Sequence, residues 1–268
     1  MKRFILFTLF SILLFSSFAC SQKANIDDQV LTIGATIVPH AAILEVIRED
    51  LLAKGYTLQI VEFTDYVLPN TSLQSEELDA NFFQHQPYLD FFNENNDTDL
   101  VSVAAIHFEP LGLYHGTVLS LTNIPTKTKV AIPNDQTNRA RALLLLETLG
   151  LITLQENIGL QATLTHIVEN PLELDIIELE AAGIPARLAD VGFGVINGNY
   201  AISANVVSRL LAQESASSLA ATTYANILVV KRGNEQKAAI LALIEVLQSE
   251  KVRQFILQTY PGAVYPVF

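Results

Sequence analysis

Short apolar runs of strand composition alternate with helical runs along almost the whole chain, joined by brief links. Leu31-Thr-Ile-Gly-Ala-Thr36 reads as a buried strand. Pro39 and His40 turn it into a helix over Ala41–Ala53, whose apolar residues Ile43, Leu44, Ile47, Leu51 and Leu52 recur at helical spacing. Gly55 ends that helix, and Thr57–Phe63 is the next strand. A helix follows over Val67–Glu77, a short strand over Leu78–Phe83, a helix from Pro87 to Asn93 and a strand over Leu100–Ile106. This rhythm predicts α/β layers built on parallel strands. It pauses at Leu-Gly-Leu-Tyr-His-Gly116, read as a domain crossing.

A second unit of the same kind then begins. Its strands are Lys129–Ile132, Ile176–Leu179 and Val191–Ile196, with helices starting near Asn134, near Thr165–Val168 and near Pro185–Ala189. The polar stretch Glu214–Thr223 leads to the strand Ile227–Val230, and helices near Glu235–Gln248 and Glu250–Gln258 close the chain. The expected organisation is two α/β lobes, 30–113 plus 225–268 and 114–224, with a cleft between them. Ligands favour such interfaces and the carboxyl ends of parallel strands.

Polar and aromatic residues gather at the strand ends. Tyr66 follows the second strand, Phe82-Phe83-Gln84-His85 the third, Arg141 the strand ending at Ile132, and Asn197 the strand ending at Ile196. Asn226 precedes Ile227. Arg139 and Arg141 stand in the first turns of a helix, where an extra cation is mildly unfavourable but an anion is welcome. Guanidinium offers a planar fork that matches a carboxylate. One cation, two amides, an imidazole and aromatic faces suit a zwitterion: arginine for its carboxylate, amide oxygens for its ammonium, rings for an apolar side chain. Thioether sulfur packs well on aromatic edges. Taken singly, each residue also has a plain structural role: Phe82 and Phe83 as core, Asn197 and Asn226 as turn and cap, His85 as a loop histidine, Arg141 as one half of an ion pair.

Other chemistry finds less support. The histidines, with Glu109, show no close pair such as HExxH, so no metal is expected. No nucleophile elbow, phosphate loop or dinucleotide fingerprint is present, so neither enzyme nor cofactor is expected.

Lys2 and Arg3 precede an uncharged apolar run, Phe4–Phe18. It falls short of the roughly 20 residues a spanning helix needs and fits a secretory signal over 1–19. Cys20, the only cysteine, would then be the mature N-terminus and a site for lipid attachment, with Ser21–Gln29 as a polar tether. Ser17 stands where the lipoprotein pattern usually has leucine. The 268-residue chain carries a net charge of −12. Without Lys2 and Arg3 it has 14 basic against 28 acidic residues, a net −14. Such a surface argues against nucleic acid.

Several runs together are specific: Val61-Glu-Phe-Thr-Asp-Tyr-Val-Leu-Pro-Asn70, Leu78-Asp-Ala-Asn-Phe-Phe-Gln-His85, Glu109-Pro-Leu-Gly-Leu-Tyr114, Ala131-Ile-Pro-Asn-Asp135 with Arg141-Ala-Leu-Leu-Leu-Leu-Glu147, Val195-Ile-Asn-Gly-Asn-Tyr-Ala201 and Tyr224-Ala-Asn-Ile-Leu-Val-Val230. Through them, residues 30–268 resemble the NlpA-like methionine-binding lipoproteins of bacterial ABC importers. The resemblance implies a type II periplasmic-binding-protein fold, hinged closure on L- or D-methionine, a lipid anchor at Cys20, and delivery to a membrane permease with a cytoplasmic ATPase. It puts the carboxylate-binding arginine at Arg141, the aromatic pocket at Tyr66 and Phe83 with Phe82 and His85 beside them, and amide contacts at Asn197 and Asn226. Gln136 departs from the family's proline, and Thr222-Thr223 from its Ser-Pro. Alternatives are another amino acid or a methionine-containing dipeptide as ligand, an exported enzyme on the same fold, or a surface adhesin with a vestigial pocket.

Overall fold

The computed structural model describes residues 29–216 and 219–268. The signal, Cys20 and most of the tether lie outside the described residues. The strands are β1 (Val30–Thr36), β2 (Thr57–Phe63), β3 (Ala80–His85), β4 (Leu100–Phe108), β5 (Gly112–His115), β6 (Lys129–Pro133), β7 (Thr153–Leu154), β8 (Ile167–Glu169), β9 (Asp175–Leu179), β10 (Phe193–Ile196), β11 (Leu210–Gln213), β12 (Ala225–Lys231) and β13 (Tyr265–Pro266). The α-helices are α1 (Ala42–Val46), α2 (Arg48–Ala53), α3 (Leu68–Gln74), α4 (Gln86–Asn96), α5 (Gln136–Thr148), α6 (Ile184–Arg187), α7 (Gly198–Ser203), α8 (Leu219–Thr223), α9 (Ala238–Leu247) and α10 (Glu250–Thr259).

Two sheets organise them. The first has the order β13-β4-β12-β3-β1-β2, and the second β11-β5-β10-β6-β9. Each sheet is covered on both faces, which is why its central strands are apolar along their length. In the first lobe, α1, α2, α9 and α10 press Ile43, Leu44, Ile47, Leu243 and Val252 onto one face. Helices α3 and α4 press Leu73, Leu89 and Phe92 onto the other. In the second lobe, Val130 and Ile132 of β6 meet Leu143 and Leu146 of α5. Ala131 between them faces Ile184 and Leu188 on the opposite side. That is the two-residue alternation of a strand.

The structure corrects the expectation of parallel strands throughout. β1, β2 and β3 are parallel, but β12 enters between β3 and β4 and runs antiparallel to both. The cause is connectivity: β12 returns from the second sheet and enters the first at the end where β3 and β4 leave it. Asn226 thereby stands opposite both His85 and His107. The second sheet is also mixed, because β5 runs antiparallel to β10 and β11 to β5.

Residues 112–115, read from sequence within the crossing, form β5 of the second sheet. The chain therefore passes between sheets through Glu109-Pro110-Leu111. Gly116 follows because a Cβ there would lie 2.2 Å from the Val191 carbonyl oxygen. The expected helix near Thr165–Val168 is instead a 3-10 turn followed by β8. Thr163 and His166 cap each other reciprocally, closing the turn, and Ile167 and Val168 are β-branched residues that favour a strand. The helix expected over Ala41–Ala53 is interrupted at Ile47, which sits at φ −95°, ψ 0°. The polar stretch before β12 contains the short helix α8.

Candidate functional site

The two sheets face each other across a cavity with about 350 Å³ of empty space, counted out to its mouth. Its walls come from the ends of β3, β4 and β10 and the starts of α4, α5, α7 and β12. One part is aromatic. The rings of Tyr66, Phe83 and Tyr88 form a triangle with centroids 5.8, 5.9 and 6.0 Å apart.

A bulge in β3 makes this wall. Ile227 pairs with Gln84 and Leu228 with Phe82, so Phe83 is the extra residue. Strict alternation would send neighbouring side chains to opposite faces, whereas a bulge re-aims them. Phe83, Gln84 and His85 consequently all line the cavity. Phe82 does not. It is fully buried in the first lobe's core, against the rings of His40 at 4.8 Å and His107 at 5.3 Å. Of the residues expected at the site, Tyr66, Phe83, His85, Arg141, Asn197 and Asn226 are brought together, and Phe82 is a core residue.

The opposite part is rich in donors. Asp135 caps α5 by accepting the Asn138 N–H at 2.9 Å. One turn on, Arg141 is buried on the same face as Asn138, as i,i+3 spacing dictates. The Asn138 Oδ1 accepts from Asn197 Nδ2 at 3.0 Å and Arg141 Nη1 at 3.3 Å, and lies 3.2 Å from His85 Nε2. His85 Nδ1 accepts the Tyr88 N–H as the N-cap of α4, which leaves the proton on Nε2, pointing at Asn138. Burial, and next the Arg141 charge, push the His85 pKa down to about 3, so the ring is neutral. Three donors thus converge on one oxygen that has two lone pairs.

Acceptors line the remaining wall. Asn197 Oδ1 is buried and has no hydrogen-bond partner among the described residues. The Glu109 carboxylate is buried beside it, its pKa raised to about 6 by desolvation despite the opposing pull of His40 and Arg141. Its Oε1 lies 2.7 Å from His107 Nε2 and 3.4 Å from Asn226 Nδ2. His40 sits 3.5 Å from the same oxygen and bridges Thr36 and Asn226.

His40, His107 and Glu109 have the residue types of a metal site. The hydrogen bonding does not fit one. A metal on His107 Nε2 would move that ring's proton to Nδ1, which is buried without an acceptor among the described residues. Metal-bound histidines donate that second N–H to a partner. As hydrogen-bonded neutral rings, with pKa values lowered by burial to about 4 for His40 and about 3 for His107, both are satisfied at Nε2. They act as braces for Glu109.

The lobes also touch directly. Tyr66 donates to Asn199 Oδ1 at 2.6 Å and its ring lies 4.9 Å from that of Tyr200, which donates to the Thr64 carbonyl oxygen at 3.2 Å. Arg139, the other arginine of α5, pairs with Glu178 at 3.6 Å, at the end of the neighbouring β9.

Sequence reasoning missed Glu109, Tyr88 and Asn138 as cavity walls. Each had a local signal. Glu109 precedes the proline that ends β4, Tyr88 lies in the first turn of α4, and Asn138 stands three residues before Arg141.

Residues 31–268 match the NlpA lipoprotein family. The chain belongs to the NlpA lipoprotein family. It is 40% identical over 246 residues to the membrane lipoprotein TpN32 of Treponema pallidum, covering 91% of this chain and 89% of the relative. It is 38% identical over 260 residues to the methionine-binding lipoprotein MetQ of Bacillus subtilis, covering 93% of each. Among solved structures, a nutrient-binding protein from Burkholderia cenocepacia bound to methionine superposes with a TM-score of 0.84 at 37% identity, covering 89% of this chain and 100% of that one. The two lobes and central cavity are thus the periplasmic-binding-protein fold of the NlpA lipoproteins. No helix among the described residues is long and apolar enough to cross a membrane.

Proposed function

We propose that this chain is the methionine receptor of an ABC importer. It is held at the membrane by lipid on Cys20, takes up methionine between its lobes and presents it to a permease driven by a cytoplasmic ATPase. It has no catalytic role. The observation that carries this reading is the polarity of the cavity. Surplus donors at Arg141, His85 and Asn197 Nδ2 face one way, and the Glu109 carboxylate with the unpaired Asn197 Oδ1 provides the opposite need. A zwitterionic α-amino acid satisfies both, and an apolar side chain then lies among Tyr66, Phe83 and Tyr88.

Closure is a rigid-body motion about the crossing at 109–111 and the return at Glu214, in which ligand contacts from both lobes favour the closed form. Native mass spectrometry of the mature domain, followed by denaturation, should release methionine. Calorimetric titration of the emptied protein should then show one saturable site. Release of a different amino acid would change the ligand and keep the mechanism. An empty protein that binds no amino acid would sink the reading.

Glu109 sets a pH dependence. Its carboxyl group must be ionised to face an ammonium, and its pKa is about 6. Binding is therefore at full strength above that value and weakens as pH falls through it, by about tenfold per unit well below. His40 and His107 remain neutral down to about 4 and 3, so they add nothing in this window. Titrations from pH 7 to 5 should show the decline, and Glu109→Gln should bind weakly with a flat profile. A parent protein with a flat profile would remove Glu109 from the ammonium's seat.

A further inference from the structure

The guanidinium of Arg141 sits in a wall between two spaces. On one side is the ligand cavity. On the other is an apolar groove with about 1180 Å³ of empty space, to which Arg141, Glu214 and Tyr224 all contribute. A flexible arginine side chain at that position can point either way, and only one direction serves a ligand carboxylate.

Glu214 decides the direction. Its carboxylate grips one edge of the guanidinium, accepting from Nη2 at 2.6 Å and from Nε at 3.1 Å. The Tyr224 ring lies 4.1 Å from the guanidinium carbon and holds its plane. Among the described residues, the Nη1 and Nη2 hydrogens that remain meet only long contacts, 3.3 Å to Asn138 Oδ1 and 3.5 Å to the Glu109 carbonyl oxygen. The strong bidentate edge is thus taken by the protein, and the second edge is left for an incoming carboxylate.

Glu214 is itself anchored to the crossing between the lobes. Its Oε2 accepts the Leu111 N–H at 2.9 Å, and its own N–H donates to the Leu111 carbonyl oxygen at 3.0 Å. Both strands of chain that pass between the sheets therefore meet at the Arg141 guanidinium: residues 109–111 on the way out and Glu214 on the way back.

We propose that Glu214 is a positioning residue for ligand recognition. It locks Arg141 with its free fork toward the cavity, and it ties the carboxylate seat to the hinge. This rests on the proposed binding of an amino acid, and the test separates the two. Calorimetry compares methionine with methioninamide, which lacks the carboxylate, on the parent, Glu214→Gln, Glu214→Ala and Arg141→Ala proteins. Thermal unfolding accompanies each. Glu214→Ala should weaken methionine binding at least about tenfold while changing methioninamide binding less than about threefold, as expected for loss of charge-assisted hydrogen bonds behind one ligand group. Glu214→Gln, which keeps one acceptor and nearly the same shape, should fall between. The Glu214→Ala/Arg141→Ala double variant should be no weaker than Arg141→Ala alone. Equal losses on both ligands, or a gain for methionine, would overturn the proposal.

A second measurement needs no ligand. In 15N-labelled protein, the Arg141 Nε–H should give a slowly exchanging arginine resonance that disappears in Arg141→Lys and Glu214→Ala. A parent that binds neither compound but shows this resonance contradicts the ligand reading and supports the lock. A parent without the resonance overturns the lock.

Discussion

Arg141→Ala should lower methionine affinity by about 2–5 kcal/mol, a factor of roughly thirty to several thousand. Arg141 is a buried charge whose free donors face the cavity. Among the described residues, truncation removes the only guanidinium on the cavity wall. A ligand carboxylate would then be desolvated against neutral donors alone, the His85 Nε2–H and the Asn197 amide. The change also strands Glu214, whose side chain is 11% exposed, beside a vacated space. A lower melting temperature is therefore expected as well, and affinity is to be measured on folded protein well below it. Calorimetry at neutral pH decides the matter, and an affinity within a few fold of the parent would remove Arg141 from the carboxylate's seat.

Phe82→Ala should do the opposite kind of damage: a loss of about 3–5 kcal/mol of folding stability. Phe82 is fully buried among apolar side chains and the rings of His40 and His107. Alanine leaves a void there that close-packed strands fill only in part. At its neighbour Phe83, in the ring triangle, alanine should mainly cost ligand affinity. Denaturant unfolding and calorimetry on the two variants should separate the effects. Equal stability losses with equal affinity losses would contradict the division of roles between the two phenylalanines. The braces on Glu109 pass through the same packing, so Phe82→Ala is also expected to shift the pH midpoint of binding.

These neighbours show where sequence reasoning stopped. Composition at a strand end marked both phenylalanines as pocket candidates. Strand alternation puts them on opposite faces, but only the assembled lobes decide which face is core and which is cavity, and the bulge opposite Ile227 and Leu228 brings Gln84 to the same wall as Phe83 and His85. A bulge depends on the partner strand's register, and β12 arrives from 140 or more positions later in the chain. Periodicity in a local window carries no trace of it. The same holds for β5: four residues containing Gly112 are too few to show alternation, and β10 and β11 on either side make them a strand. From sequence, Glu109 stood out only as a weak metal-ligand candidate beside the histidines. Burial, which only the fold imposes, gives it its raised pKa against the opposing pull of His40 and Arg141.

What the sequence determined by itself was local. Strand and helix periods, the Asp135 cap before α5, and the placement of Arg141 one turn behind it follow from neighbouring residues, because those forces act within a few residues. The matching runs likewise made the family legible before any coordinates. The tertiary structure decided what depends on distant segments meeting. It set the mixed direction of both sheets, the side to which Phe82 and Phe83 turn, and the pairing of Arg141 with Glu214, 73 residues away. Those outcomes rest on desolvation and on hydrogen-bond geometry between chain segments, and neither exists until the lobes are assembled.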